Sequence, residues 1–222
     1  MCITTIEFIT AGKDIVLALA ATATAIVAIR GLSTWNRELR GKVSFDVARS
    51  LAKSAYKVRD QLQGSRSPLL SAHEFPAEYH DAGLKRTPEQ EAKGYAHVYS
   101  NRWEPIWEAM QEFDASTLEA EALWGHTVRE ATDQLRRVVR EVNVAIDAFI
   151  SNAAAGGEHF STDREFGKRM RSTVSAVPSD VKNEVNVKLA EAIQEINNQL
   201  RPHLRTQLTR HSRGTPQKRG AP

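Results

Sequence analysis

Apolar positions fall into three patterns along this chain. From Ile15 to Ile29 the sequence reads IVLALAATATAIVAI, apolar or weakly polar at every step and without a stripe. From Val43 onward they thin to a stripe, Val43, Val47, Leu51, Ala55, Val58 and Leu62. Spacings of three and four predict an amphipathic helix with its basic residues on the opposite side. Residues 64–87, GSRSPLLSAHEFPAEYHDAGLKRT, have no period and contain Pro68 and Pro76, which predicts a long loop.

Beyond the loop the helical period returns. Thr87 is placed to cap a helix, with Pro88 in its first turn. Tyr95, Tyr99, Trp103, Ile106, Trp107, Met110 and Phe113 fall on one face, which makes these aromatics core candidates. Pro105 is expected to kink or restart the helix, and Gly125 to stop it. Val128, Ala131, Leu135, Val138, Val142, Ile146, Phe149 and Ile150 give the cleanest stripe, closed by Gly156 and Gly157. A short helix is expected within 163–177. Ser179 and Asp180 are expected to cap a last helix bearing Val181, Val185, Leu189, Ile193, Ile196 and Leu200, which Pro202 interrupts. The fold class expected is therefore all-α: an N-terminal transmembrane helix running into an amphipathic helix, then a bundle of about four helices. The boundaries are an anchor over 1–32, a basic amphipathic helix over 33–63, a loop over 64–87, a bundle over 88–201 and a basic, disordered tail over 202–222. Ser33 or Thr34 is the expected cap where the second segment starts, with a bend near Gly31 or Gly41.

Composition is that of a globular protein, 41% hydrophobic and 26% charged, rich in helix formers. The formal charge of +3 is too mild to imply a nucleic-acid partner, but its distribution is uneven. Between Arg30 and Arg59 lie eight cations and two anions, Glu38 and Asp46. After Glu195 there is no acid, while Arg201, Arg205, Arg210, Arg213, Lys218 and Arg219 follow. That tail is suited to solubilising the chain or to meeting a polyanion. Cys2, the one cysteine, excludes an intramolecular disulfide.

A bilayer core of about 30 Å takes roughly 20 helical residues to cross. Ile15 to Ile29 falls short alone, but Phe8 to Leu32 suffices if Lys13, Asp14 and Arg30 sit at its shoulders. Three readings are open: a single-pass anchor, a helix buried in a soluble bundle, and a cleaved signal peptide with small-x-small sites at Ala21-Thr22-Ala23 and Ala23-Thr24-Ala25. The anchor reading makes Arg30, Trp35, Arg37, Arg40 and Lys42 membrane-interface residues. The positive-inside rule then sets the N-terminus outside and the rest in the cytoplasm.

The segment Gly31 to Leu62 carries GL-x-TW-x3-L-x-GK, an aromatic, an Ala-rich helix and Tyr-x2-Arg-Asp. It resembles the stretch following the membrane helix in a group of bacterial single-pass proteins without assigned activity. Leu118 to Gly125, LEAEALWG, is similar to a second block of that group. The resemblance implies a bacterial inner-membrane location and carries over no functional residues.

Candidate chemistry is sparse. The loop gathers His73, Glu74, Glu78, His80 and Asp81, ligand types for a metal ion but not at H-E-x-x-H spacing. Arg205 and His211 form R-x5-H, which resembles the motif of HEPN ribonucleases, where Arg and His meet across a helical dimer to cleave RNA. Trp103, Trp107 and Trp124 are of a type that stacks on bases, but their helical spacing points to packing. No phosphate loop or nucleophile elbow occurs. The function expected is a membrane-anchored interaction protein, an adaptor, sensor or scaffold, more in keeping with a non-enzyme and with no cofactor. Its partners are the lipid bilayer and a protein or a second copy, with nucleic acid disfavoured. The alternatives are a ribonuclease and a soluble helical module.

Overall fold

Four long helices line up head to tail because each carries one apolar stripe and is followed by a chain-reversing connection. A computed structural model of the chain describes residues 3–81 and 86–205, with side chains except at 3–16, 18, 81 and 205. The helices are α1 (Ile3–Ser65), α2 (Ala77–Asp81), α3 (Pro88–Trp124), α4 (His126–Ala154), α5 (Glu158–Thr162), α6 (Arg164–Val174) and α7 (Glu184–Arg205), with a 3-10 turn at Ala72–Glu74. No strand occurs among the described residues, and the fold is all-α.

The C-terminal part of α1 packs on α3, α3 on α4, α4 on α7, and α7 back on α1. Paired residues give the directions. Ser50 meets Ser116 while Ser65 meets Arg102, so α1 and α3 are antiparallel. Asp114 meets Arg136 while Glu121 meets Arg129, so α3 and α4 are too. Ser44 meets His203 and Arg66 meets Asn186 across α1 and α7. The result is an up-down-up-down bundle. Its core holds Leu51, Val58 and Leu62 of α1, Ile106 and Phe113 of α3, Leu135 and Val142 of α4, and Leu189, Ile196 and Leu200 of α7.

Helix ends follow local chemistry. The Thr87 hydroxyl accepts from Gln90 N at 3.2 Å while the Gln90 carboxamide accepts from Thr87 N at 3.0 Å, a reciprocal capping box. Gly125, at φ 82°, separates α3 from α4, and that backbone shape favours glycine. Gly94 serves close approach instead: the Tyr79 ring lies over it where any side chain would collide.

Several expectations are corrected. Ser33 and Thr34 cap nothing, because α1 is continuous, and the Ser33 hydroxyl donates to the Arg30 carbonyl within the helix. Pro105 and Pro202 interrupt neither helix; Ile106 and Ala109, fully buried beside Pro105, hold that backbone against the core. The last helix starts at Glu184, later than expected, because the Asn183 side chain accepts from Asn186 N at 3.2 Å. Val181 is then 81% exposed and drops out of the stripe. Trp107 is also exposed, at 63%, while Tyr99 is buried and Tyr95, Trp103 and Trp124 pack partly against the core. One residue beyond Ile106, Trp107 points about 100° away from the buried line. The segment expected as a loop holds the 3-10 turn and α2.

Candidate membrane-facing end

α1 is 63 residues long, about 95 Å at 1.5 Å per residue, and only its C-terminal part is packed. Every described side chain from 19 to 40 is exposed, as is Leu17. Ala48 is the first fully buried residue among the described ones. Leu17 (58%), Leu19 (66%), Val27 (70%), Ile29 (69%) and Leu32 (64%) stay largely exposed among the described residues, which is not the place a core helix would occupy. With Ile26 they fall all round the helix, leaving no gap wider than about 80°. Among the described residues no helix is long and apolar enough to cross a membrane. The side chains at 15, 16 and 18, which open the apolar stretch, lie outside that description.

The five interface candidates follow directly. Arg30, Trp35, Arg37, Arg40 and Lys42 are all exposed on this free part of α1. Trp35 is 64% exposed, and Leu39 and Val43 are open beside it.

The bundle's near end is closed by a cluster that the sequence did not announce. His203 on α7 stacks on Trp124 at the end of α3, with centroids 3.9 Å apart and planes 14° from parallel. Trp124 Nε1 donates to Ser44 Oγ at 3.2 Å, and Ser44 Oγ lies 3.0 Å from His203 Nδ1. Indole nitrogen is only a donor, so the hydroxyl oxygen accepts there and also lies within hydrogen-bond reach of Nδ1. Burial holds the His203 pKa below its ordinary value, in keeping with a neutral ring. Although serine and histidine touch, the indole N–H occupies the hydroxyl oxygen and its ring covers the imidazole. The cluster closes this end of the bundle.

The far end is tied by two arginines. Arg66, 1% exposed, donates from Nε to the Thr173 carbonyl at 2.7 Å and from Nη1 to Asn186 Oδ1 at 2.7 Å. Nη2 donates to Asn183 Oδ1 at 2.9 Å and the Ser172 carbonyl at 3.2 Å. Burial lowers its pKa to about 10, and these neutral acceptors offset the cost of keeping it charged. Arg102 gathers the chain after α1: it donates to the carbonyls of Ser65, Ser67 and Leu69 and to both oxygens of Glu74. That pairing holds the Glu74 carboxyl below its usual pKa.

Two of the loop's metal-ligand types are engaged elsewhere. Glu74 faces Arg102, and the His80 ring lies 2.9 Å from the Ala72 carbonyl. No group of three or more His, Cys, Asp or Glu is placed to hold a metal ion among the described residues. His211, half of the R-x5-H pair, lies outside the described residues, as do Arg210, Arg213, Lys218 and Arg219. No family model, curated protein or solved structure matches the chain.

Proposed function

We propose that the chain is a membrane-anchored helical interaction protein, held by the N-terminal part of α1 and presenting the four-helix bundle on the other side of a basic collar. The observation that carries this reading is the ring of apolar side chains on α1 from Leu17 to Leu32, exposed at every azimuth and covered by none of the described residues. A partner helix would need one stripe, as in a coiled coil. Lipid surrounds a helix on all sides and asks for apolar residues on all sides. Leu32 gives way at once to Trp35, Arg37, Arg40 and Lys42, the order of residue types found at an interface. The positive-inside rule then leaves the N-terminus outside and the bundle in the cytoplasm of a bacterial cell, the compartment that the resemblance implies.

An interaction role is supported by what the bundle displays. Trp107 and Leu118 stand exposed on α3, at 63% and 61%. Beside Trp107 runs an open groove of about 530 Å³ whose lining includes Trp103, Glu104, Asn143, Asp147 and Ile150. Alkaline carbonate washing of membranes carrying the full chain is the test. Retention in the pellet is expected, and quantitative release would overturn the anchor.

A further inference from the structure

At the far end of the bundle, α3, α4, α6 and the chain after α1 surround an open cleft of about 510 Å³. That volume lies in the range of small-molecule sites, about 300–1,000 Å³. Tyr95 and Tyr99 of α3, Phe149 of α4 and Val174 of α6 line it, with Pro68 and Leu70 beside them. The Phe149 ring meets Tyr95 and Tyr99 edge-on, with centroids 5.1 and 5.9 Å away, so this aromatic wall is fixed by its own packing. Burial pushes the Tyr99 pKa up to about 12, which keeps its hydroxyl neutral.

Two cations and no acid line the same cleft. Lys168 and Arg171 stand three apart on α6, and so on one face. Both are exposed, and neither makes an ion pair among the described residues. The Arg171 guanidinium lies 5.5 Å from the Phe160 ring centroid. The surrounding charges cancel in pairs. Glu74 is bound by Arg102, Glu91 and Arg86 act on Tyr95 in opposite senses, and Glu165 adjoins Arg164 in sequence. Asp163 accepts from Phe166 N at the other end of α6, and Glu184 is held by Lys188 on α7. The C-terminal end of a helix ordinarily repels an anion. Here that end is answered, because the Ser172 and Thr173 carbonyls accept from buried Arg66. Its other acceptors are the Asn183 and Asn186 side chains, and Glu141, the acid that acts on it, is engaged by Lys188.

We infer that this cleft binds a small aromatic carboxylate, its ring against Tyr95, Tyr99 and Phe149 and its carboxylate at Lys168 and Arg171. Each half of the site asks for one half of that ligand. A bare inorganic anion would leave the aromatic wall in water, and a neutral aromatic would leave both cations unanswered. Ammonium and guanidinium each form charge-assisted hydrogen bonds to a carboxylate, stronger than those between neutral groups. The site belongs to the bundle alone, at the end away from the free part of α1, and does not rest on the anchor.

The test titrates 2-naphthoate into the full chain in phosphatidylcholine nanodiscs, by calorimetry against empty nanodiscs. Saturable binding to the chain is expected. Acetate, the charge without the ring, and 2-naphthylmethanol, the ring without the charge, are each expected to bind at least about tenfold more weakly. The variant K168Q/R171Q changes only exposed side chains and is expected to lose about tenfold or more for naphthoate while leaving naphthylmethanol as it was. Ser172→Trp keeps both cations but fills the cleft that Ser172 lines, and is expected to abolish binding of both. Circular dichroism and the urea midpoint check the fold of each variant. Naphthoate heats no greater than those of empty nanodiscs overturn the proposal, as does naphthoate affinity that K168Q/R171Q or a folded Ser172→Trp leaves unchanged. Naphthylmethanol binding as tightly as naphthoate overturns it in favour of a merely apolar cleft. Inorganic phosphate displacing naphthoate at equal concentration overturns it in favour of a simple anion site.

Discussion

α1 holds two hydrophobic regions within one continuous helix, and they meet opposite fates. Between Ala48 and Leu62 the apolar side chains line one side, and Ala48, Leu51, Val58 and Leu62 are fully buried by the neighbouring helices. Between Leu17 and Leu32 they occupy every side, and all that are described stay exposed. Hydrophobic content does not separate the two, because the exposed part is the greasier. Periodicity does: a stripe is satisfied by neighbours on one side, whereas an all-round surface needs a surrounding medium.

The largest expected effect breaks this comparison by making the same change in both regions. Leu51→Ala removes a fully buried side chain and is expected to lower unfolding stability by about 2–5 kcal/mol. Leu19→Ala, at 66% exposure, is expected to stay within about 0.5 kcal/mol in detergent. Urea titrations followed by circular dichroism read both. A substantial loss at Leu19 would mean that a part of the folded chain covers it.

The second test sharpens the comparison from the lipid side. Leu19→Arg sets a charge near the middle of Phe8 to Leu32, where insertion costs about 2.5–3.5 kcal/mol more. The variant is expected to shift from the carbonate-resistant pellet to the wash while its bundle unfolds at an unchanged denaturant midpoint. An unmoved membrane fraction would count against lipid as the surrounding medium.

Much of the packed region was legible because it rests on local pattern. The α4 stripe is buried from Val128 to Ile146, and Thr87 caps α3, since stripe and cap are each written within a few residues. What escaped was decided by partners more than a hundred positions away, or by competition between near-equal local choices. Nothing around Arg66 marks it for burial; its acceptors lie 106 to 120 residues downstream. Ser44 and His203, 159 apart, are likewise ordinary surface types in sequence. Asp180 and Asn183 are both good caps three residues apart, and packing of Val185 and Leu189 chose the later one. The fate of the first part of α1 was open because an Ala-rich apolar run suits lipid and core alike. The structure shows those described side chains uncovered.

The two ends of the bundle extend the comparison, and Arg102 tests the far one. Its guanidinium holds three carbonyls and the Glu74 carboxylate, with 14% and 22% of the two side chains exposed. Arg102→Ala is expected to cost about 1–3 kcal/mol by leaving these acceptors short of a donor. Hydrogen exchange should quicken at residues 65–75 and not around Ser44. Uniform quickening along the bundle would show that Arg102 supports the whole core and not this connection.

The near end is tested by acid, with the smallest effect of the four. Burial lowers the folded-state pKa of His203 beneath its unfolded value of 6.5, so its neutral form contributes stability at higher pH. That contribution is full above 6.5 and is lost as pH falls through the folded value. Thermal midpoints of the parent and of His203→Asn, compared between pH 7.5 and 5, isolate this group from the carboxylates, which titrate in both. The parent is expected to lose more stability than the variant over that interval. Because His203 fixes the end of α7, acid should also raise exchange around Trp124 and residues 200–204 and leave 65–75 untouched. Equal losses in the two proteins would show that the stacked Trp124 ring, and not the neutral imidazole, holds this end closed.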